Sequence, residues 1–329
     1  VRKILLSLTA ILVLLLTSSW GFYAHYRINR LAVFTLPKPM TGFYENNIEY
    51  ITEHAVSADK RRYVDSTEGP RHFLDADHYG KNPFSKIPQN YDDAAIKYTA
   101  DSLNKYGILP WNINFEYDRL VKAFKTHDTI AILSISANLG HYVADAHVPL
   151  HLTQNYNGQL SDQTGIHAFW ESRIPELYGD GFNWYAGKAH YINDPLKEAF
   201  VICRASFNEV DSVLLFERLL TKRFPPAKKY EMVKHGSKMV KDYSADYSRA
   251  YQLMLKGMIE RRMRASIRDV GSYWYSAWVD AGQPDLNKLI KAQLPAGEMV
   301  EIHKEENLYR AGKSVALTKV YAGKNSQTN

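Results

Sequence analysis

The sequence predicts an all-α protein, a multi-helix bundle, on three observations. Apolar residues recur at three- and four-residue spacing through most of the chain beyond residue 20, few segments alternate as strands do, and no internal repeat appears. The 329 residues are 45% hydrophobic, enough for a sizeable core and too apolar for global disorder.

Taken in order, residues 1–19 read as a signal peptide. Arg2 and Lys3 precede the apolar run Ile4–Leu16, and Thr17 and Ser19 are the small residues that favour cleavage before Trp20. The run falls short of the roughly 20 residues of a spanning helix, which argues against a membrane anchor. The expected localisation is therefore exported, periplasmic or secreted. No cysteine lies near the cleavage point, so a lipid anchor there is not supported.

Helices are predicted over Phe22–Phe34, Met40–His54, Tyr91–Lys105 and Glu116–Lys125. The next spans Asp128–Asp145, where Ile130, Leu133, Ala137 and His141 step by three and four. His167–Leu177, Pro195–Leu220, Lys228–Leu255 and Met258–Val279 follow. Asp128 and Asp194 are expected N-caps, with Pro195 at the first helical position. The loops 65–88 and 154–165 are rich in turn residues. No domain boundary stands out, so residues 20–322 read as one helical domain and 323–329 as a flexible tail.

Charge and cysteine content narrow the function classes. The formal net charge is +6, and losing Arg2 and Lys3 with the signal leaves +4. That weakly favours phosphate-bearing partners. Cys203 is the sole cysteine, so no intrachain disulfide can form and the core or a bound metal must hold the fold.

The chemistry concentrates in "NLGHYVADAHVPLH" (138–151) and "GIHAFWE" (165–171). His141 and Asp145 are four apart, as are His167 and Glu171, so each pair shares a helix face. The first pair sits among Ala137, Leu139, Gly140, Val143 and Ala144, which predicts burial. A buried carboxylate is costly unless paired or metal-bound. His151 follows Pro149, which ends the helix and lets the chain fold back. An N- and O-donor cluster without cysteine suits zinc, with manganese or iron less favoured. Several carboxylates allow more than one ion, the usual device for phosphoester hydrolysis. The His-Glu-x-x-His signature of metalloproteases is absent.

His-x3-Asp-x5-His followed by His-x3-Glu resembles the zinc-dependent phospholipase C and single-strand nuclease superfamily, whose members are helical exported enzymes with three zinc ions. Their mature chains begin with a tryptophan that binds zinc through its amine and carbonyl. Here the predicted cleavage lies before Trp20, and His25 follows five residues later. "RHFLDAD" supplies His72 in the family's own His-Phe-x-Asp wording, and Asp59 precedes it, with Asp65 a competing candidate. The resemblance implies one zinc on Asp59, His72, His141 and Asp145. A second would sit on Trp20, His25 and a bridging Asp145, and a third on His151, His167 and Glu171. It further implies a hydroxide attacking phosphorus in line, oriented or deprotonated by Asp59, with Phe73 and Asp75 contacting substrate.

The two subgroups leave the substrate open. The short Trp20–His25 spacing is similar to the nucleases, whereas the short 151–167 loop and Glu171 look like the phospholipases. Tyr23 stands where choline-selective phospholipases carry an acid. The expectation is a phospholipase C-like phosphodiesterase acting on a phospholipid head group, with a nuclease on single-stranded nucleic acid as the alternative. A non-enzymatic exported metal-binding protein is the third reading. No stable protein partner is expected, only transient contact with a membrane surface.

Overall fold

The computed structural model describes residues 22–235 and 238–313. The signal segment 1–19, Trp20 and the tail 323–329 lie outside the described residues. The described chain is all-α apart from one hairpin.

The first helices are α1 (Phe22–Val33), α2 (Lys38–Asn46), α3 (Ile48–Glu53) and α4 (Ser57–Arg61). The helix expected over Met40–His54 is thus two, broken at Asn47. After irregular chain and short 3-10 turns come α5 (Tyr91–Tyr98) and α6 (Ala100–Tyr106). Here too one expected helix is two. Thr99 adopts φ 71, and its side chain accepts from Ser102 N to start the second. Helix α7 (Leu109–Lys125) begins seven residues before its expected start, because Pro110 sits in the first turn, where its missing N–H costs nothing.

Helix α8 (Thr129–Ala146) is the axis of the molecule. Asp128 caps it through Ala131 N, as expected. It is apolar nearly all round and packs against α1, α7, α10 (Pro195–Phe207) and α13 (Met258–Asp280). Trp274 of α13 stacks on Tyr44 at 5.1 Å between ring centroids and donates its Nε1–H to Ser136 O at 3.0 Å. Such a stack is worth about 0.5–1.5 kcal/mol beyond its buried area.

Helix α9 is one segment in three parts: Ile166–Ala168, a π-helical turn Phe169–Arg173, and Ile174–Tyr178. Asp194 caps α10 through Lys197 N with Pro195 at its start, as expected. The helix ends at Phe207, and α11 (Val210–Arg223) continues separately.

The helix expected over Lys228–Leu255 is replaced in its first half. Tyr230–His235 (β1) and Lys238–Tyr243 (β2) form an antiparallel hairpin, and only then does α12 (Ala245–Met254) begin, capped by Ser244. Tyr and Val favour a strand, and Gly236-Ser237 is a two-residue hairpin signal in the sequence. The final helix, α14 (Ala296–Arg310), is tied to α1 by Arg30, which donates Nε to Glu305 at 2.9 Å and Nη1 to Glu49 at 2.8 Å. No described helix is long and apolar enough to cross a membrane.

Candidate metal centre

The site forms where α1 crosses α8. At Gly140 an added Cβ would meet Asn29 Oδ1 at 2.2 Å, so only glycine admits this approach. Asn29 Nδ2 donates to Ala137 O at 3.0 Å and locks the crossing. One turn before Asn29 on α1, His25 lies flat on His141, with ring centroids 4.0 Å apart. Asp145 follows one turn later on α8. A second glycine brings in the loop: Gly107, at φ 91, would drive a Cβ to 2.1 Å from Phe73 O. Its absence lets the chain after His72 pack against 106–109.

Five imidazoles and three carboxylates meet here. Three groups of ligand atoms each lie within 4.8 Å of one another: His25, His141 and Asp145; Asp59, His72 and His141; His151, His167 and Glu171. The groups interlock. Asp145 Oδ2 lies 2.9 Å from His72 Nδ1 and 3.3 Å from His141 Nε2, while its Oδ1 lies 3.3 Å from His25 Nε2. Glu171 is 3.2 Å from His25 Nε2 and 2.9 Å from His167 Nε2. His25 therefore bridges the two carboxylates. Of the two aspartates near residue 60, Asp59 reaches the cluster, 3.7 Å from His141 Nε2. Asp65 does not; it accepts from the backbone N–H and hydroxyl of Thr67.

The far nitrogens set the near ones. Nδ1 of His141 donates to Ala55 O at 2.8 Å, that of His151 to His72 O at 2.5 Å, and that of His167 to Tyr156 O at 3.2 Å. Each contact fixes the tautomer and leaves an Nε2 lone pair facing the centre, the usual preparation of a metal-binding histidine. His72 is turned the other way. Its Nδ1 faces Asp145, and its Nε2 lies 3.3 Å from Glu68 Oε1.

Glu68 was not among the expected site residues. It is fully buried, accepts from Tyr142 Oη, and pairs with Arg61 at 3.2 Å and Arg71 at 3.1 Å. Burial opposes its charge, yet His72, then Tyr142 and Arg61, hold its carboxyl down to about 2. The signal that could have found it was present: Glu68 and His72 are four residues apart.

The donor set fits a cation. Asp145 and Glu171 are buried, and among the described residues no lysine or arginine pairs with either; their neighbours are imidazoles. His72 Nδ1 and His141 Nε2 face each other at 3.1 Å, so without a cation one must be protonated. In the protein alone the burden falls on His25. Burial lowers its affinity for a proton, but the Glu171 contact and then Asp145 outweigh this and raise its pKa to about 9. Buried histidine, aspartate and glutamate groups of this kind could hold metal ions in place of protons.

The centre opens on a cleft of about 490 Å³, whose wall includes His72, His151 and His167 together with Arg62, Phe73, Asp75 and Tyr156. Both residues expected to contact substrate therefore lie in it. Burial, then the neighbouring Asp77, pushes the Asp75 carboxyl up to about 7. Trp20, the remaining expected ligand, lies outside the described residues. No family model matches this chain, and no curated protein matches it.

Proposed function

We propose that this protein is an exported zinc-dependent phosphoric ester hydrolase, phospholipase C-like in its substrate class. The observation that carries the proposal is the joining of three histidine–carboxylate groups into one centre with a cleft of about 490 Å³ against it. Zinc is favoured over softer or harder ions by nitrogen and carboxylate donors without thiolate. The N-terminal signal pattern, and the tryptophan that would follow its cleavage, support both export and the ligand set expected with His25 and Asp145.

Bound zinc would supply charge neutralisation at the phosphoryl group and a water of lowered pKa. The chain's own residues do the rest. His141, His151 and His167 hold fixed nitrogens toward the ions, so little reorganisation is needed during reaction. Asp145 and Glu171, which lie against imidazoles of adjacent groups, would be carboxylate ligands between bound ions. Asp59, with its side chain 23% exposed, is the carboxylate that substrate water can reach, and it accepts the nucleophile's proton. Arg62 lies 3.9 Å from Asp59 and lines the cleft, where its guanidinium holds a phosphate oxygen. Phe73 and Asp75 contact the organic part of the ester.

One observation favours a second reading, a single-strand nuclease. Phe73 and the exposed ring of Tyr156 share the cleft with Asp75. Rings for stacking and a carboxyl for an exocyclic amine are what a nucleobase needs.

The test is a metal count on protein processed to Trp20, followed by paired assays on phosphatidylcholine vesicles and single-stranded DNA. Near three zinc per chain with head-group release supports the phospholipase. The same count with DNA cleavage alone moves the function to the nuclease. Zinc without either activity leaves a metal-binding protein, and no metal at all sinks the centre.

A further inference from the structure

The β1–β2 hairpin joins the core through Tyr243 at its root, and its outer part is exposed. In an antiparallel pair, residues directly opposite share a face. Met232 stands opposite Lys241, and Lys234 opposite Met239. Tyr230, two residues before Met232, belongs to the same face, and Lys241 Nζ lies 4.5 Å from its ring centroid. Met232 is 59% exposed and Met239 56%. The acids are elsewhere. Glu231 and Asp242, on the other face, reach Arg173 of α9 at 2.9 and 3.0 Å. Lys234 and Lys241 have no ion-pair partner among the described residues, and Lys228 beside the hairpin is exposed too.

Exposed apolar side chains on a fold's periphery call for an occupant. Here their chemistry selects one. Thioethers are flexible and apolar, and two of them flanked by free ammonium groups match the boundary of a bilayer, where acyl chains meet charged head groups. Unpaired lysines near that boundary gain from anionic lipid. A single-stranded nucleic acid would want several exposed rings, and this face offers only Tyr230.

We propose that the hairpin face of Tyr230, Met232, Lys234, Met239 and Lys241 docks this protein on an anionic phospholipid surface. The root of the hairpin is clamped to the helix that carries the centre. Arg173 donates Nε to Tyr243 O at 3.2 Å, and Tyr243 stacks on Phe169 at 3.9 Å, two residues from both His167 and Glu171. A docked hairpin would therefore keep the third ligand group close to the head groups. Docking rests on the exposed face alone; its role in supplying substrate rests on the phospholipase reading.

The experiment uses zinc-loaded protein processed to Trp20, sedimented with vesicles of phosphatidylcholine alone or mixed with phosphatidylglycerol. Binding should be about tenfold or more stronger on the anionic vesicles and should weaken with salt. Met232→Ser with Met239→Ser, and separately Lys234→Glu with Lys241→Glu, should each weaken it by about tenfold or more. Zinc content, circular dichroism and hydrolysis of the soluble diester bis(p-nitrophenyl) phosphate should stay at wild-type level. Vesicle binding at wild-type level by either double variant overturns the proposal, as does no binding to any vesicle. Variant-sensitive binding of single-stranded DNA without vesicle binding overturns it in favour of a nucleic-acid surface. Variant-sensitive vesicle binding without any hydrolysis upholds the docking face and sinks the catalytic reading.

Discussion

Two buried histidine–carboxylate assemblies lie next to each other, and they solve the same problem differently. In the candidate metal centre, Asp145 and Glu171 are surrounded by imidazoles. Just past the end of α8, His147 pairs with Asp269 of α13, Nε2 to Oδ2 at 3.1 Å. A cavity of about 20 Å³, room for about one water, is lined by His25 and Glu171 of the first assembly and by His147 and Arg262 beside the second. The second assembly carries its own cations. Arg268 donates to Asp269 Oδ1 at 3.0 Å, and Arg262 donates to the His147 carbonyl at 2.9 Å. Burial, then Arg262, pushes His147 down to about 4, so it stays neutral. That assembly already holds its own positive charges, although neither ring nitrogen of His147 completes a hydrogen bond. Among the described residues, Asp145 and Glu171 of the first assembly have no arginine or lysine beside them and gather imidazole lone pairs, which is the arrangement of a site that receives a charge from outside.

The sharpest way to break this contrast is Asp145→Ala. It removes the carboxylate that lies against His25, His72 and His141, so metal content should fall and phosphodiesterase activity should drop by about 10³-fold or more. Full zinc content by elemental analysis, with full activity, would refute the centre. A smaller effect is expected from Glu68→Gln, which keeps the shape but weakens the hold on His72. Zinc affinity should fall by roughly 10–100-fold, read by competition with a chelating dye. An unchanged affinity would make Glu68 a packing residue only.

Asp269→Ala should act on stability instead. Losing the His147 contact should cost about 1–3 kcal/mol in denaturant melts. Zinc content should not change; a loss of metal would mean the two assemblies are one. The smallest effect should come from Asp75→Asn. Asp75 touches no imidazole or cation of the centre, and its carboxyl ionises as pH rises through about 7. If the carboxylate receives a substrate donor, kcat/KM should climb across that range, and Asp75→Asn should flatten the climb with at most a few-fold loss. A profile identical in both proteins would remove Asp75 from substrate contact.

How far the site could be read in advance differs from residue to residue. His141 with Asp145, and His167 with Glu171, are local pairs, and four-residue spacing on a helix announces them. Glu68 obeys the same spacing with His72, yet it lies in a turn-rich stretch without the apolar periodicity of a helix. His147 and Asp269 are 122 positions apart, and no local pattern joins them. The hairpin is not legible in the sequence because Lys228–Leu255 holds enough apolar residues at mixed spacing to pass as helix. Its strand preference becomes decisive only once Tyr243 can stack on Phe169 and Arg173 can take up Glu231 and Asp242.

By itself the sequence determined what short-range physics controls. That includes the all-α class, the caps at Asp128 and Asp194, the start at Pro195, and the faces that carry the ligand pairs. These follow from dihedral preferences and helical periodicity within a few residues. Tertiary structure decided which distant groups share a low-dielectric space. It placed His25 on His141 through the Gly140–Asn29 contact and joined three ligand groups through Asp145 and His25. It set Glu68 behind His72, and it gave His147 the arginines that Asp145 lacks. Those outcomes depend on desolvation and on charge neighbours brought from far along the chain, and neither is encoded in any single stretch.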